Sequence, residues 1–269
     1  MALGGFATRF TKALAAGVVA LALGASANAD TLHATYGVSL IGLPIGVASL
    51  SASLTPSSYS IDARGKLSGL ATMISNSKGA SSGRGAIVGG HVSPASFATT
   101  ASNDKMTRTI RMALAGNSVS GVDISPPFDD RPDRVPLGPK DKQGIVDPVG
   151  AFVFPVPANG APTSAAACNR TVPILDGYTR FDITLAYVGE RQVTTKGYSG
   201  PVAVCSARYV PIAGHRRDRP ATKFMAENKD IEIWLAPVGG AGVLMPFRLS
   251  VRTMIGIAVL EATEFSVAR

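Results

Sequence analysis

The densest chemistry in the chain lies in "YVPIAGHRRDRP", Tyr209 to Pro220, where His215 is followed by Arg216, Arg217, Asp218 and Arg219. Guanidinium groups at this spacing can grip a phosphate or carboxylate by bidentate hydrogen bonds. A histidine beside them could serve as a general base, given a nucleophile and an orienting carboxylate. A hydrated surface loop, the ordinary fate of a charge run, is the first expectation. The functional alternative is an anion-binding lip at the barrel mouth formed by His215, Arg216, Arg217 and Arg219, with Asp218 compensating part of the charge. Pro211, shortly before, points to a strand edge or a bulge.

Other patterns are weaker. "GASSG", Gly79 to Gly83, fits G-x-S-x-G with Ser81 at the nucleophile position. That pattern requires a strand before the serine and a helix after it. Here the helical signal precedes and "GRGAIVGG" reads as strand, so a turn is expected. A hydrolase or transferase pairing His215 with Ser81 or Ser206 is kept as an alternative function. Asp129, Asp130 and Asp133 could suggest calcium, but Arg131, Pro132 and Arg134 interrupt them, and a self-paired, hydrated loop is expected. His33 and His91 lack a second ligand at close spacing, so neither a metal nor a cofactor is expected.

The compartment follows from "MALGGFATRFTKALAAGVVALALGASANAD". Arg9 and Lys12 precede a short apolar run, and Ala27-Asn28-Ala29 forms a small-x-small cleavage site, so residues 1–29 read as a signal peptide cleaved after Ala29. The expected address is the bacterial periplasm. In that oxidising setting the only two cysteines, Cys168 and Cys205, read as one disulfide tying a central loop to a late strand. The net charge of +8 would ordinarily suggest nucleic acid. Export argues against that and towards lipid, lipopolysaccharide or a wall-derived anion, with peripheral membrane contact allowed and the oligomeric state left open.

These groups must be held by strands. "TRFDITLAYV" places Phe181, Ile183, Leu185 and Tyr187 on one face, and "DIEIWLAP" sets Ile231, Ile233 and Leu235 against Glu232, Trp234 and Ala236. "GVLMPFRLSVRT" aligns Val243, Met245, Phe247, Leu249 and Val251. Gly and Pro recur about every ten residues, the rhythm of an antiparallel meander. The early strands are rich in Gly, Ala and Ser, which favours strong curvature. Two short helices are expected. One lies in "LSGLATMISNS", with Leu67, Leu70, Met73 and Ile74 at helical spacing behind Ser68 as cap; the other lies in "DPVGAFVF", capped by Asp147 with Pro148 first in the helix. The Pro-rich stretch Ser125 to Gly144 is irregular. The fold class is mainly β: residues 30–269 form a single antiparallel, strongly curved open barrel or β-spiral, with β halves at 30–125 and 168–269 around an insert at 126–167.

"YGVSLIGLPIGVASLSASL", "GLATMISNSKGASSGRG", "DPVGAFVF", "GPVAVCSARYVPIAGHR" and "IEIWLAP…PFRLSVRTMIGIAVLEATEF" together resemble an exported bacterial family, domain-of-unknown-function family 3108. The resemblance covers essentially all of residues 30–269. It implies an open or spiral β-barrel in the periplasm, and it brings no catalytic residues. The expected function is a non-enzymatic envelope protein, binding or scaffolding, with an acyl or anionic ligand. An outer-membrane barrel is a further alternative, although aromatic content is only 6% and lipid-facing bands are not evident.

Overall fold

Alternating strand sequence produces alternating burial. In β1 (Asp30–Leu40) Leu32, Ala34 and Tyr36 are buried, and in β2 (Leu43–Thr55) Leu50, Ala52 and Leu54 are buried. The computed structural model describes residues 29–73, 75–156 and 161–268, so the targeting segment up to residue 28 lies outside the described residues. The first half continues with β3 (Ser58–Leu67), β4 (Lys78–Val88), β5 (His91–Ser102), β6 (Thr107–Ala115) and β7 (Ser118–Ser125). After an irregular insert holding the short β8 (Phe154–Pro155), the chain forms β9 (Arg170–Leu175), β10 (Arg180–Thr195) and β11 (Tyr198–Ala213). The helix α1 (Pro220–Glu227) follows, then β12 (Ile231–Val238), β13 (Val243–Thr253) and β14 (Gly256–Ala268).

All fourteen strands belong to one antiparallel sheet. Each half is a meander, and β1 pairs with β14 to join them. The sheet is not closed: β7 and β9 are its two ends. The insert fills the seam between them. Ile145 N–H donates to Asn117 O at the β6–β7 turn, while Val146 N–H donates to Pro173 O and Leu175 N–H to Val146 O beside β9. An otherwise bare pair of edges is thereby covered. Curvature comes with β-bulges, including those at Thr35/Tyr36, Arg84/Gly85 and Tyr187/Gly189. Small residues permit the close approaches: a side chain at Gly83 would meet Val149 of the insert at 2.9 Å.

The main core occupies the inside of the curl, with Phe265, Leu54, Ile61 and Met245 fully buried. The C-terminal half also buries its other face. Val202 and Val204 join the main core, but their neighbours Ala203 and Cys205 join a second cluster under the insert. There the expected sides of β10 and β12 hold, for Ile183, Leu185, Ile231, Ile233 and Leu235 all pack on this second core. β13 does not keep the single face that its sequence suggests. Val243, Met245 and Phe247 face the main core, yet Leu249 and Val251 lie in the second cluster. Trp234 pairs with Arg248 and Leu235 with Pro246, which leaves Phe247 as a bulge, and one extra residue exchanges the faces.

Two local expectations are corrected. The segment around Leu67 and Met73 is a single 3₁₀ turn at Gly69–Met73, and Met73 points to solvent, so no buried stripe supports a longer helix. "GASSG" lies inside β4 instead of forming a turn, paired to β3 and β5. Asp147 does cap a turn, though a shorter one than a helix. Its Oδ1 accepts from Val149 N–H and Gly150 N–H, both at 2.9 Å.

Asp147 is fully buried, and burial raises its pKa above the ordinary carboxylate range despite those N–H donors and the Tyr59 hydroxyl. The same desolvation raises Asp176. A raised folded pKa means that the native state binds the proton first as pH falls. Stability from these groups therefore increases on acidification towards the ordinary value of 3.8, and is lost again as pH rises through the folded value. Asp147→Asn keeps the acceptor and removes the charge. Urea titrations across mildly acidic pH should show the native protein gaining stability relative to Asp147→Asn as pH falls; parallel curves would refute the assignment.

Candidate functional site

β11 outruns its neighbour. It pairs with β10 along nearly its whole length but with β12 only from Ala203 to Ser206. From Ala207 to Ala213 it therefore leans on β10 alone, and the sheet splits. The expected irregularity at Pro211 is present as well, since Arg180 faces Ala213 while Phe181 faces Pro211, a bulge. The split opens an apolar cleft of about 260 Å³ on the second-core side. Phe181, Ile183, Ala207 and Tyr209 form one wall and Ile231, Ile233, Leu249 and Val251 the other, while Phe152 of the insert and Met225 of α1 complete the lining. Tyr209 packs against the Phe181 ring at 5.2 Å between centroids. Burial, aided by the charge of Asp176, pushes its phenol pKa up. A neutral phenol is therefore the one polar tip within an apolar lining, the composition expected of a small-molecule pocket.

The helix is held over this region by polar contacts at its end. Asn228 is buried; its Nδ2 donates to Arg252 O at 2.9 Å, and its own carbonyl accepts from Arg208 Nη1 at 3.0 Å. Pro220 opens α1 at a position where a missing N–H costs nothing. The helix was not among the elements expected from the sequence, where the loop ends at this proline. Pro220 followed by Phe224 and Met225 was the available signal.

The loop Gly214 to Arg219 links β11, part of one wall of the cleft, to α1, which adds Met225 to the lining. It is fastened from beneath by the insert. Val135 N–H donates to His215 O, Gly214 N–H donates to Val135 O, and Arg134 Nε donates to Gly214 O at 3.0 Å. Arg134 also donates to Tyr178 O and lies over the Tyr178 ring at 3.4 Å. Tyr178 stacks in turn on Phe128, with Arg108 over the far side at 3.8 Å. The acid-rich segment is thus not merely self-paired. Asp129 does pair with Arg131, but Asp133 reaches Arg216 at 3.0 Å. Hydrogen bonding from Arg216 lowers the Asp133 pKa, and the same bond raises that of Arg216.

The four expected ligand residues are therefore differently placed. Arg216 is engaged by Asp133. Arg217 and Arg219 are exposed and have no acidic partner among the described residues. Asp218 forms no ion pair with the arginines among the described residues; its contact is Lys223 at 3.7 Å. His215 is half-buried, and its Nδ1 is shielded from water without a hydrogen-bond partner. Neither candidate serine engages it: Ser81 Oγ lies 2.8 Å from Thr99 Oγ1, and Ser206 donates to Ala186 O. Ser206 is also some seven residues down β11 from the loop, about 23 Å at strand rise. A separate cavity of about 650 Å³ has Gly46, Gly65, Gly79 and Ala101 in its wall together with Lys66 and Lys78. Arg108 supplies its guanidinium, a residue that sequence reasoning did not single out.

The disulfide lies at the edge of the same second core. Cys168 and Cys205 are bonded, as expected, and both are completely buried.

A profile of the family described as "Protein of unknown function (DUF3108)" matches residues 32–263. The chain belongs to this family. The match of the DUF3108 profile runs from β1 into β14, so it embraces both meanders, the insert and α1. No curated protein matches this DUF3108 chain. Among solved structures, it is similar to the beta-barrel-like protein of domain of unknown function DUF1849 from Brucella abortus. The TM-score is 0.50 at 9% identity, and the alignment covers 91% of this chain and 100% of the other. That likeness concerns the fold alone. A curled, barrel-like sheet is common to the DUF3108 chain and the Brucella protein.

Proposed function

We propose that the protein is a non-enzymatic binding protein of the bacterial periplasm that holds an acyl chain in the cleft between β11 and β12. The apolar cleft carries this reading: about 260 Å³, lined by aliphatic and aromatic side chains, with Met225 of α1 among them. A volume near the lower bound for ligand pockets suits a single short hydrocarbon chain. Arg217 and Arg219, on the loop between β11 and α1, supply positive charge with no acidic partner among the described residues for an anionic head group such as a carboxylate or phosphate. The leader at residues 1–29 and the Cys168–Cys205 bridge support the periplasmic address.

A fluorescent fatty acid titrated into purified protein tests the reading. Ala207→Trp, which fills the cleft, should weaken binding at least about tenfold, because the displaced chain loses its apolar burial. Arg217→Gln with Arg219→Gln should weaken the fatty acid severalfold while leaving the corresponding fatty alcohol unaffected. Unchanged affinity in Ala207→Trp would rule out the cleft. Alkaline phosphatase fused after residue 29 should be active, and an inactive fusion would rule out the address.

A further inference from the structure

The end of the barrel where β1 meets β14 carries an unusual group of apolar side chains. Ile41 and Ile255, on the β1–β2 and β13–β14 turns, are 63% and 72% exposed, and Leu43, Met254 and Ile257 are exposed beside them. The turns are bound together, Ile41 N–H donating to Ile257 O at 2.9 Å. Ile41 also has φ of 47°. A β-branched residue in the left-handed region is a genuine outlier, and glycine or asparagine would occupy that position with less strain. The fold tolerates strained backbone here to hold a hydrocarbon side chain out into water, and such strain accompanies functional positions.

A second feature lies further down the same wall. Lys66 and Lys78 face each other directly across β3 and β4, and Arg64 lies two residues on. Like charges opposed in this way destabilise a sheet, and among the described residues none of the three has an acidic partner. They line a surface groove of about 490 Å³ with exposed Val47. Two acids towards this end are engaged elsewhere, Asp104 accepting from Asn76 N–H and Nδ2 and Asp230 pairing with Arg252, while Asp62 lies beyond Arg64 on β3, farther from the tip. Val47, paired with Lys66, lies four residues along β2 from Leu43, about 13 Å at strand rise. An interfacial element buries its apolar side roughly 5–10 Å into the headgroup and acyl boundary. Tip and cations are spaced so that the isoleucines reach hydrocarbon while the lysines lie among the phosphates.

We infer that this end of the barrel docks on an anionic lipid bilayer, the two turns inserting as an apolar tip beneath a cationic collar. No helix among the described residues is long and apolar enough to cross a membrane, and the contact is interfacial. It stands independently of the acyl cleft, so Ala207→Trp leaves it intact. Co-sedimentation with vesicles of phosphatidylcholine, with and without phosphatidylglycerol, provides the test. Native protein should bind the mixed vesicles at least about tenfold more tightly than the neutral ones, with an affinity that falls as salt is added. Ile41→Ser with Ile255→Ser should lose about tenfold or more. Lys66→Gln with Lys78→Gln should lose a similar factor and most of the salt dependence. Ile41→Gly separates docking from folding, because it should raise the urea midpoint while lowering vesicle affinity. Absence of binding to anionic vesicles, or equal binding by the isoleucine variants, would overturn the inference. So would a dimer in analytical ultracentrifugation that Ile41→Ser with Ile255→Ser dissolves, which would assign the tip to a second copy of the chain.

Discussion

Removing the Cys168–Cys205 bridge, by reduction or by Cys168→Ala with Cys205→Ala, should lower the unfolding free energy by about 4 kcal/mol. The bridge spans 37 residues, and closing a loop of that size restricts the unfolded chain by about that amount in the chain-entropy treatment. Its position gives a further reason for a large effect. Cys205 is in the short stretch of β11 that pairs with β12, where both faces of the strand are buried. Cys168 follows the last turn of the insert, which packs on the same cluster. Without the bridge, the insert is held over the second core by backbone bonds at β8 and β9 and by apolar contact. Urea unfolding in oxidising and reducing buffer gives the number directly. A change below about 1 kcal/mol would mean that the insert is secured without the disulfide. Because the cleft has Phe152 of the insert in its lining, the reduced protein should also bind the fatty acid more weakly at denaturant concentrations where it remains folded.

How much of this was legible in the sequence depends on whether a feature is local. Strand periodicity is local, and it located the meanders, the faces of β10 and β12, and the β1–β2 turn close to Gly42. The exchange of faces in β13 was only partly legible, because Pro246 signals an irregularity but nothing in "VLMPFRLSV" marks Phe247 as the bulged residue. The bulge is set by pairing with Trp234 and Leu235 on another strand. The pairing of the two cysteines needed only their number and a compartment. The partner of Arg216 needed a contact across 83 residues of sequence, and the neighbouring Asp218 was the natural but mistaken assignment. The cleft was invisible for a similar reason. Its residues read as ordinary core positions, and only the divergence of β11 from β12 leaves them unfilled.

The histidine–arginine loop was conspicuous in sequence, but its geometry depends on a residue of little apparent interest. Gly214→Ala should cost about 3 kcal/mol or more. Gly214 has φ of 76°, and a Cβ there would collide with the backbone carbonyl of Tyr178 and come within 3.0 Å of Thr179 Cα. Left-handed backbone alone costs alanine on the order of 1 kcal/mol or more. The collision adds a penalty of the kind found on overpacking, typically about 1–3 kcal/mol, and here the obstacle is backbone that cannot rotate away. The Tyr178 carbonyl is itself held by Arg134 Nη2 at 2.8 Å, and Gly214 O is held by Arg134 Nε. One substitution therefore strains both acceptors of the same guanidinium. The stack of Arg134 on Tyr178 and Tyr178 on Phe128 should loosen with them, which near-ultraviolet circular dichroism would report. Arg217→Gln provides the contrast, since its exposed side chain has no partner among the described residues and stability should change by less than about 0.5 kcal/mol. If Gly214→Ala instead matched Arg217→Gln in urea midpoint, the loop would be free to move away from the β9–β10 turn. The arginines would then have no fixed position relative to the cleft, and the anion-gripping part of the proposed function would fall with them.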